Sequence, residues 1–375
     1  MNYKSGICTF CGTGCGHLLD VRGDKVHGVF PMQNHPVSKG RLCVRGWNVH
    51  ELLNTPEKIT TPLIRKNGAL VEASYDEAVS YLVENLKKTS PDELGFLASP
   101  RSSNEENYLL MKLARAVFNT NNISLDCDPG HRISLDVMHN CTGMAGMLGS
   151  LDEIAKADFI LVVGIDITKQ NPIIGSEIHM AARKGARVVT IDTRNTQIAK
   201  MSRGFLQIQP GAYKTAMAYM AKVLVDENLA DTEYIKKYTD GYDAFVKVLS
   251  SLKESEVAEK TGVEIDMLKT IARDLALSRS AMVFFSSGIS GFDRETVSCI
   301  YNLFLMAGKI GKEGCGVNPI TGINNLQGSY DMGIAPDLLP GFQSLSDGAA
   351  AGKFGKAAND KWQWIDGGEF EYDGR

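Results

Sequence analysis

The sequence predicts an open, doubly wound parallel α/β sheet preceded by a small turn-rich lobe. Three observations carry this prediction. Continuous apolar strands flank a helix between residues 157 and 192, strands and helices keep alternating from there to residue 307, and the first sixty residues break into short, glycine-dotted pieces. With 375 residues, 43% of them apolar, 22% charged and 37 of them glycine, the chain exceeds what one hydrophobic core serves. At least two globular units are expected, and disorder is excluded as the main state.

Taken in order, the lobe holds β-like pieces at Leu18–Arg22 and Val26–Phe30, joined by the turn signal Arg22-Gly23-Asp24. Ser74-Tyr75-Asp76-Glu77 then opens a helix with the spacing of a capping box, and apolar residues recur at helical intervals through Leu86. A second helix is predicted over Asn104–Phe118. The clearest unit follows. Phe159–Val163 reads as a buried strand ending at Gly164, Pro172–Lys184 as a helix stopped by Gly185, and Val188–Ile191 as a second buried strand ending at Asp192. Such a pair with its crossover makes a right-handed βαβ unit in a sheet covered on both faces. A helix near Tyr213–Asp226, a strand at Met282–Phe285 and a helix over Arg294–Ala307 continue the alternation. Residues 348–356, rich in small side chains, read as a loose segment.

The charge balance excludes several classes of function. Forty basic and 44 acidic side chains leave a net charge of -4, which offers no general attraction to nucleic acid or an anionic membrane. No apolar run approaches the roughly 20 residues that span a bilayer. The opening Met1-Asn2-Tyr3-Lys4-Ser5-Gly6-Ile7-Cys8 has no basic or apolar leader, so a cytoplasmic protein is expected.

Eight cysteines are the informative excess, because four of them crowd the N-terminus. Cys8, Cys11 and Cys15 share one tight loop and Cys43 lies on a returning segment. Zinc sites usually come as two paired knuckles about one ion. Three ligands on one loop and a distant fourth suit the corners of a [4Fe-4S] cubane better, with Gly12, Gly14 and Gly16 expected to let backbone N–H groups approach the sulfurs. Zinc, or cysteines without a ligand, are the alternatives. Cys127, Cys141, Cys299 and Cys315 share no such spacing, and Cys299, in the apolar helix after Arg294, reads as core packing.

Longer stretches carry a resemblance. The segments Cys8-Thr9-Phe10-Cys11-Gly12-Thr13-Gly14-Cys15, Gly40-Arg41-Leu42-Cys43-Val44-Arg45-Gly46, Ser103-Asn104-Glu105-Glu106-Asn107-Tyr108 and Asn324-Asn325-Leu326-Gln327-Gly328-Ser329-Tyr330-Asp331-Met332-Gly333 resemble the large subunit of molybdenum- or tungsten-dependent formate dehydrogenases. These belong to the molybdopterin guanine dinucleotide oxidoreductases, whose fold is also that of dimethyl sulfoxide reductase. The resemblance implies a cluster domain over residues 1–60, an outer pterin-binding α/β domain over 61–131 plus 323–375, and an inner dinucleotide-binding α/β domain over 132–322. It implies a [4Fe-4S] cluster and a molybdopterin guanine dinucleotide carrying Mo or W. Formate or carbon dioxide would be the substrate, an iron–sulfur or flavin subunit would take the electrons, and a separate chain could supply a C-terminal domain closing over the pterin. The family's remaining several hundred residues are absent, so the chain reads as a fragment or as a split subunit resembling that of formylmethanofuran dehydrogenase.

Within that frame Gly164, Asp166, Asp192 and Arg194 fall past the carboxyl ends of parallel strands, where an open α/β sheet leaves its ligand crevice. Gly164 would permit close backbone approach, Asp192 would accept from a guanine edge or ribose, and Arg194 would pair with pyrophosphate. The plain alternative is that Asp192 caps the next helix and Arg194 is a solvated charge. Asn324, Gln327 and Gly328 are implied to contact the cofactor. Arg45, two residues past the fourth cysteine, matches a basic family position bridging cluster and pterin; surface charge is its alternative. The family's metal-ligating cysteine or selenocysteine corresponds to Gly130, its substrate arginine to Thr321 and the neighbouring glutamine to Ile323. His131 remains as a candidate proton carrier or a structural histidine, and Cys127 as a substitute ligand. These departures keep open a non-catalytic electron-transfer or scaffold relative.

Overall fold

The computed structural model describes residues 3–126, 129–290 and 293–348. Strands β1 (Tyr3–Ile7), β2 (Gly16–Arg22) and β3 (Lys25–Pro31) form an antiparallel meander, extending both predicted lobe strands by one or two residues. Short helices Val44–Trp47 and Val49–Leu53 cover β3, and the Asn54 side chain both donates to and accepts from the Val26 backbone. This lobe buries little apolar surface of its own.

A hairpin of β4 (Leu63–Lys66) and β5 (Ala69–Glu72) leads into the helix Tyr75–Leu86, begun as predicted by Ser74, whose hydroxyl accepts from the Glu77 N–H at 3.2 Å. The Glu77 carboxylate pairs with Lys66 rather than closing the capping box. The apolar stripe of this helix predicts a buried face, yet none of its residues is buried and Tyr75 is 73% exposed. Strands β6 (Phe96–Ala98) and β7 (Ile123–Leu125) pair in parallel, with Leu97 70% exposed between them and solvent. The helix predicted to reach Phe118 is α over Asn104–Lys112 and widens into a π turn over Leu113–Val117. That turn points buried Arg115 at the Asn121 side chain and at the carbonyls of Gly333 and Ala335, tying the returning segment to the outer strands. A core of Ala98, Met111, Ile123 and Leu135 from one side and Leu326, Tyr330, Ile334 and Phe342 from the other follows from that closure.

The main sheet consists of β8 (Phe159–Val163), β9 (Arg187–Asp192), β10 (Gly204–Gln207), β11 (Ala281–Phe285) and β12 (Gly316–Pro319), all parallel, in the spatial order β10-β9-β8-β11-β12. The chain winds outward from β8 and returns to β11 on its other side. Direction therefore switches between β8 and β11, and this is where a doubly wound sheet opens a crevice. β8 is wholly buried because alternate residues serve two cores. Leu161 and Val163 meet the helices Tyr213–Asp226, Ile265–Leu277 and Arg294–Met306, while Ile160 and Val162 meet Ile174 and Ile178 of the helix Pro172–Arg183. Each such side chain contributes about 1.5–3 kcal/mol by leaving water. Cys299 lies in the first of these cores, as its sequence context predicts. Three further helices, Thr232–Tyr238, Tyr242–Leu249 and Glu254–Thr261, separate β10 from β11 and are not anticipated by the sequence reading.

Candidate functional site

The three close cysteines occupy the loop of the β1–β2 hairpin. Ile7 faces Gly16 across the ladder and the Cys8 N–H donates to the Cys15 carbonyl at 2.8 Å, so the loop is closed at its base. Gly14 turns the chain with φ of +59°, a conformation that favours glycine. Cys43 is the N-cap residue of the helix Val44–Trp47, where its sulfur meets the Arg45 and Gly46 N–H groups. Cys8, Cys11 and Cys15 are buried and Cys43 is half-buried.

Their electrostatics mark one shared site. Burial pushes the Cys15 thiol up to about 12, and the neighbouring Cys11, Cys8 and Cys43 add to the shift. Burial likewise raises Cys8, with further contributions from Cys11 and Cys43. Cys43 is also penalised by burial, but the Gly46 N–H and the Arg45 side chain outweigh that and carry its thiol below the usual value. Among the described residues no three His, Cys, Asp or Glu gather closely enough to hold a single metal ion. Three thiolates on one loop and a fourth on a returning helix, sharing one site, suit a cube better than one tetrahedral ion.

Backbone N–H groups do reach sulfur here, that of Phe10 at Cys8 and those of Arg45 and Gly46 at Cys43. The N–H groups of Gly12, Gly14 and Gly16 themselves go to oxygen: they donate to the Thr321 carbonyl (3.1 Å), the Cys11 carbonyl (3.1 Å) and the Ser38 hydroxyl (3.2 Å). Gly12 is needed for close approach instead, since a Cβ there would stand 2.7 Å from the Thr321 γ-methyl.

The lobe is fastened over the mouth of the main sheet. Arg45 donates to the Gln170 carbonyl at 2.8 Å and stacks on Phe10, and the Gln170 amide donates to Ser286 at 2.9 Å. Ser286 follows β11 directly, opposite Gly164 after β8. Arg45 is therefore no solvated surface charge; it joins the fourth cysteine to the switch point. Arg101 holds the Thr9 carbonyl at 2.5 Å, and Arg41 pairs with Glu177 of the helix Pro172–Arg183.

One strand from the switch point, Asp192 ends β9 with its side chain 1% exposed. Its Oδ1 accepts from the Arg194 N–H at 2.8 Å, and its Oδ2 has no hydrogen-bond partner among the described residues. Asp192 does not cap the next helix: Thr196 does, accepting from Ala199. A buried carboxylate oxygen left unmatched is where a ligand donor is wanted. Arg194 is largely exposed, 3.5 Å from Asp192, and open to an anion. Asp166 accepts from the Thr168 hydroxyl at 2.7 Å at the head of a short helix. Gly164 has φ of +60°, and a Cβ there would collide with Ile289 at 1.9 Å and approach Tyr213 at 3.2 Å. The space beside Gly164 is thus taken by Ile289, and the glycine answers to protein packing.

The other predicted residues lie further off. His131 is buried on the first turn of the helix Pro129–Thr142. Asn324 borders the loop at Gly14. The Gln327 amide donates to the Ala145 carbonyl at 2.7 Å and to Asp331 at 3.1 Å, and Gly328 leaves room for the Asn104 and Asn325 side chains. Cys127 lies outside the described residues. Arg132, beside His131, is held by Asp136 and Asp337.

Comparison with known families agrees with this arrangement. The molybdopterin oxidoreductase Fe4S4 domain matches residues 1–55, and the molybdopterin oxidoreductase family matches residues 58–358. The chain belongs to the molybdopterin oxidoreductases. It is 36% identical over 344 residues to the F420-dependent formate dehydrogenase subunit alpha of Methanocaldococcus jannaschii, covering 91% of this chain and 51% of that protein. It is 31% identical over 364 residues to formate dehydrogenase H of Escherichia coli, covering 94% and 51% respectively. The chain thus spans about half the length of the curated relatives it matches. Acetylene hydratase from Pelobacter acetylenicus shares the fold, with a TM-score of 0.74 and 18% identity over 84% of this chain and 44% of that one.

The residues of this molybdopterin oxidoreductase fit both groups its family carries. The four cysteines fit a [4Fe-4S] cluster, and the unmatched Asp192 oxygen beside Arg194 fits a nucleotide-bearing pterin. No helix among the described residues is long and apolar enough to cross a membrane. The sequence reading missed Thr13, Asn171, Tyr213 and Ser286, which line the same junction. Only Thr13 carried a signal, by lying between two cluster cysteines.

Proposed function

We propose that this chain is the cluster- and pterin-binding part of an oxidoreductase of formate dehydrogenase type, interconverting formate and carbon dioxide by a two-electron reaction. The observation that carries the reading is the Arg45–Gln170–Ser286 connection, which seats a four-cysteine lobe on the switch point of a dinucleotide-type sheet. When bound, the pterin metal supplies two-electron chemistry and the cluster supplies one-electron steps. The chain's own residues divide the remaining work. Asp192 and Arg194 orient the nucleotide, Arg45 holds a fixed positive charge between the two groups, and the buried cysteine loop keeps water from the sulfurs. His131, shielded from solvent, is the proton carrier in this reading. Electrons leave one at a time to an iron–sulfur or flavin partner subunit.

A second reading is favoured by Thr321. At the position matching the family's substrate arginine, this threonine packs on Gly12, and its carbonyl accepts from both Gly12 and Asn171. Arg132 is occupied by two carboxylates and does not replace that arginine. A conducting or scaffolding relative without formate chemistry would look like this. Anaerobically purified protein with iron and stoichiometric Mo or W that reduces dye with formate supports the enzyme. Iron without Mo or W supports the conducting relative.

A further inference from the structure

Thr13 and Asn171 are 158 residues apart in sequence and buried together beside Cys11. The Thr13 hydroxyl oxygen lies 3.5 Å from Cys11 Sγ. The Asn171 amide nitrogen donates to that oxygen at 3.4 Å and to the Thr321 carbonyl at 3.0 Å. A carbonyl can only accept, so the atom facing Thr321 must be the NH2 group, and the amide cannot be the other way round. Its two hydrogens are thereby assigned, one to Thr321 and one to Thr13. The Asn171 carbonyl oxygen has no hydrogen-bond partner among the described residues, a cost accepted to keep both donors in place.

Thr13 consequently accepts from Asn171 and has one hydrogen left to give. As a cluster ligand Cys11 is a thiolate, an acceptor with no hydrogen of its own. We infer that Asn171 directs the Thr13 hydroxyl onto the Cys11 sulfur, and that this bond is a built-in setting of the cluster's reduction potential. Thr13 and Asn171 are positioning residues: they touch a ligand, not the reacting atoms. A donor on a ligating sulfur stabilises the more negative, reduced cluster and so raises its midpoint potential for uptake of one electron. The three loop glycines spend their N–H groups on oxygen, so none of them supplies the donor that the Thr13 hydroxyl offers Cys11. The inference rests on the cluster assignment and needs no substrate.

The test is an EPR-monitored redox titration of the full 375-residue chain, purified without oxygen and with iron counted. Thr13→Val is expected to keep its iron and shift the midpoint to more negative potential, and Thr13→Ser to return it to the wild-type value. Asn171→Asp, whose carboxylate can only accept and so draws the Thr13 hydrogen away from sulfur, is expected to shift it the same way. A Thr13→Val protein with full iron and an unchanged midpoint overturns the inference, as does a Thr13→Ser protein that stays as low as the valine variant. Should Thr13→Val fail to hold iron, Thr13→Ala is titrated in its place. If that too is iron-free, an unchanged midpoint in Asn171→Asp overturns it. A wild-type chain with no reducible cluster would strike at the cluster reading itself, whereas inactivity toward formate leaves the midpoint fully readable.

Discussion

Arg45 and Gln170 are joined by a 2.8 Å bond from guanidinium to main-chain carbonyl, one of the contacts, with Arg41–Glu177 and Asn171–Thr13, that hold the N-terminal lobe on the βαβ unit. Charge-assisted bonds of this kind are worth about 1–3 kcal/mol when half-buried. Arg45→Ala is expected to lower stability by about 1 kcal/mol, read as a fall in the urea midpoint at constant slope. Arg45→Lys retains the charge beside Cys43 but not the forked reach, and should fall between the two.

Stripping the cluster should unfold the protein in parts. Apart from Val29 and Val49, the lobe's buried apolar contacts are a small cluster of Cys8 and Cys15 with Phe10 and Leu42, closed by Ile173 of the helix Pro172–Arg183, whereas the main sheet keeps two large cores. After chelation under oxidising conditions, amide exchange in β1 and β2 should accelerate by orders of magnitude while β8, β9 and β11 stay protected. Equal loss of protection everywhere would contradict an independent sheet. Cys15→Ser should reproduce the stripped pattern without chelator.

Asp192→Asn should separate binding from stability. The substitution keeps an oxygen for the Arg194 N–H and removes a buried charge with an unmatched oxygen. The isolated chain should melt at the same temperature or higher, and its nucleotide-bearing pterin content after anaerobic purification should drop at least tenfold, a loss of about 1.4 kcal/mol or more. A lower melting temperature with normal cofactor content would assign Asp192 to the fold alone.

Cys299 provides a pH-dependent check on burial. Desolvation pushes its thiol up to about 11, partly offset by Lys214 and reinforced by Asp293 and Glu295. Only thiolate reacts with iodoacetamide, and at pH 8 roughly a thousandth of such a group is ionised. Labelling of Cys299 in the folded chain should be negligible at pH 8, rise about tenfold per pH unit toward 11, and become fast at pH 8 once urea exposes the thiol. Mass spectrometry of the peptide containing residue 299 reads this directly.

The fold was most legible where one residue type had to serve one environment. Phe159–Val163 is apolar throughout because both faces of β8 are covered, and Tyr213–Asp226 was readable to the residue from its helical period. The stripe on Tyr75–Leu86 predicted the helix correctly but not its exposure, because periodicity reports a face that wants covering and not whether it is covered. Strands β6 and β7 are three residues each, too short for any period to register. The cysteine site could be read from spacing alone. Asn171 could not, for its meaning lies in Thr13 and Thr321, both about 150 residues away along the chain. The end of β9 at Asp192 could be read from its apolar run, whereas the packing of Ile289 against Gly164 is announced by no local motif.

The close seating of Gly12 against Thr321, with Cys8, Cys11 and Cys15 all shut away from solvent, also bears on the order of maturation. Iron and sulfide are expected to enter before the hairpin loop seats on the sheet, so that protein folded without iron should take up a cluster more slowly than protein supplied with iron as it folds.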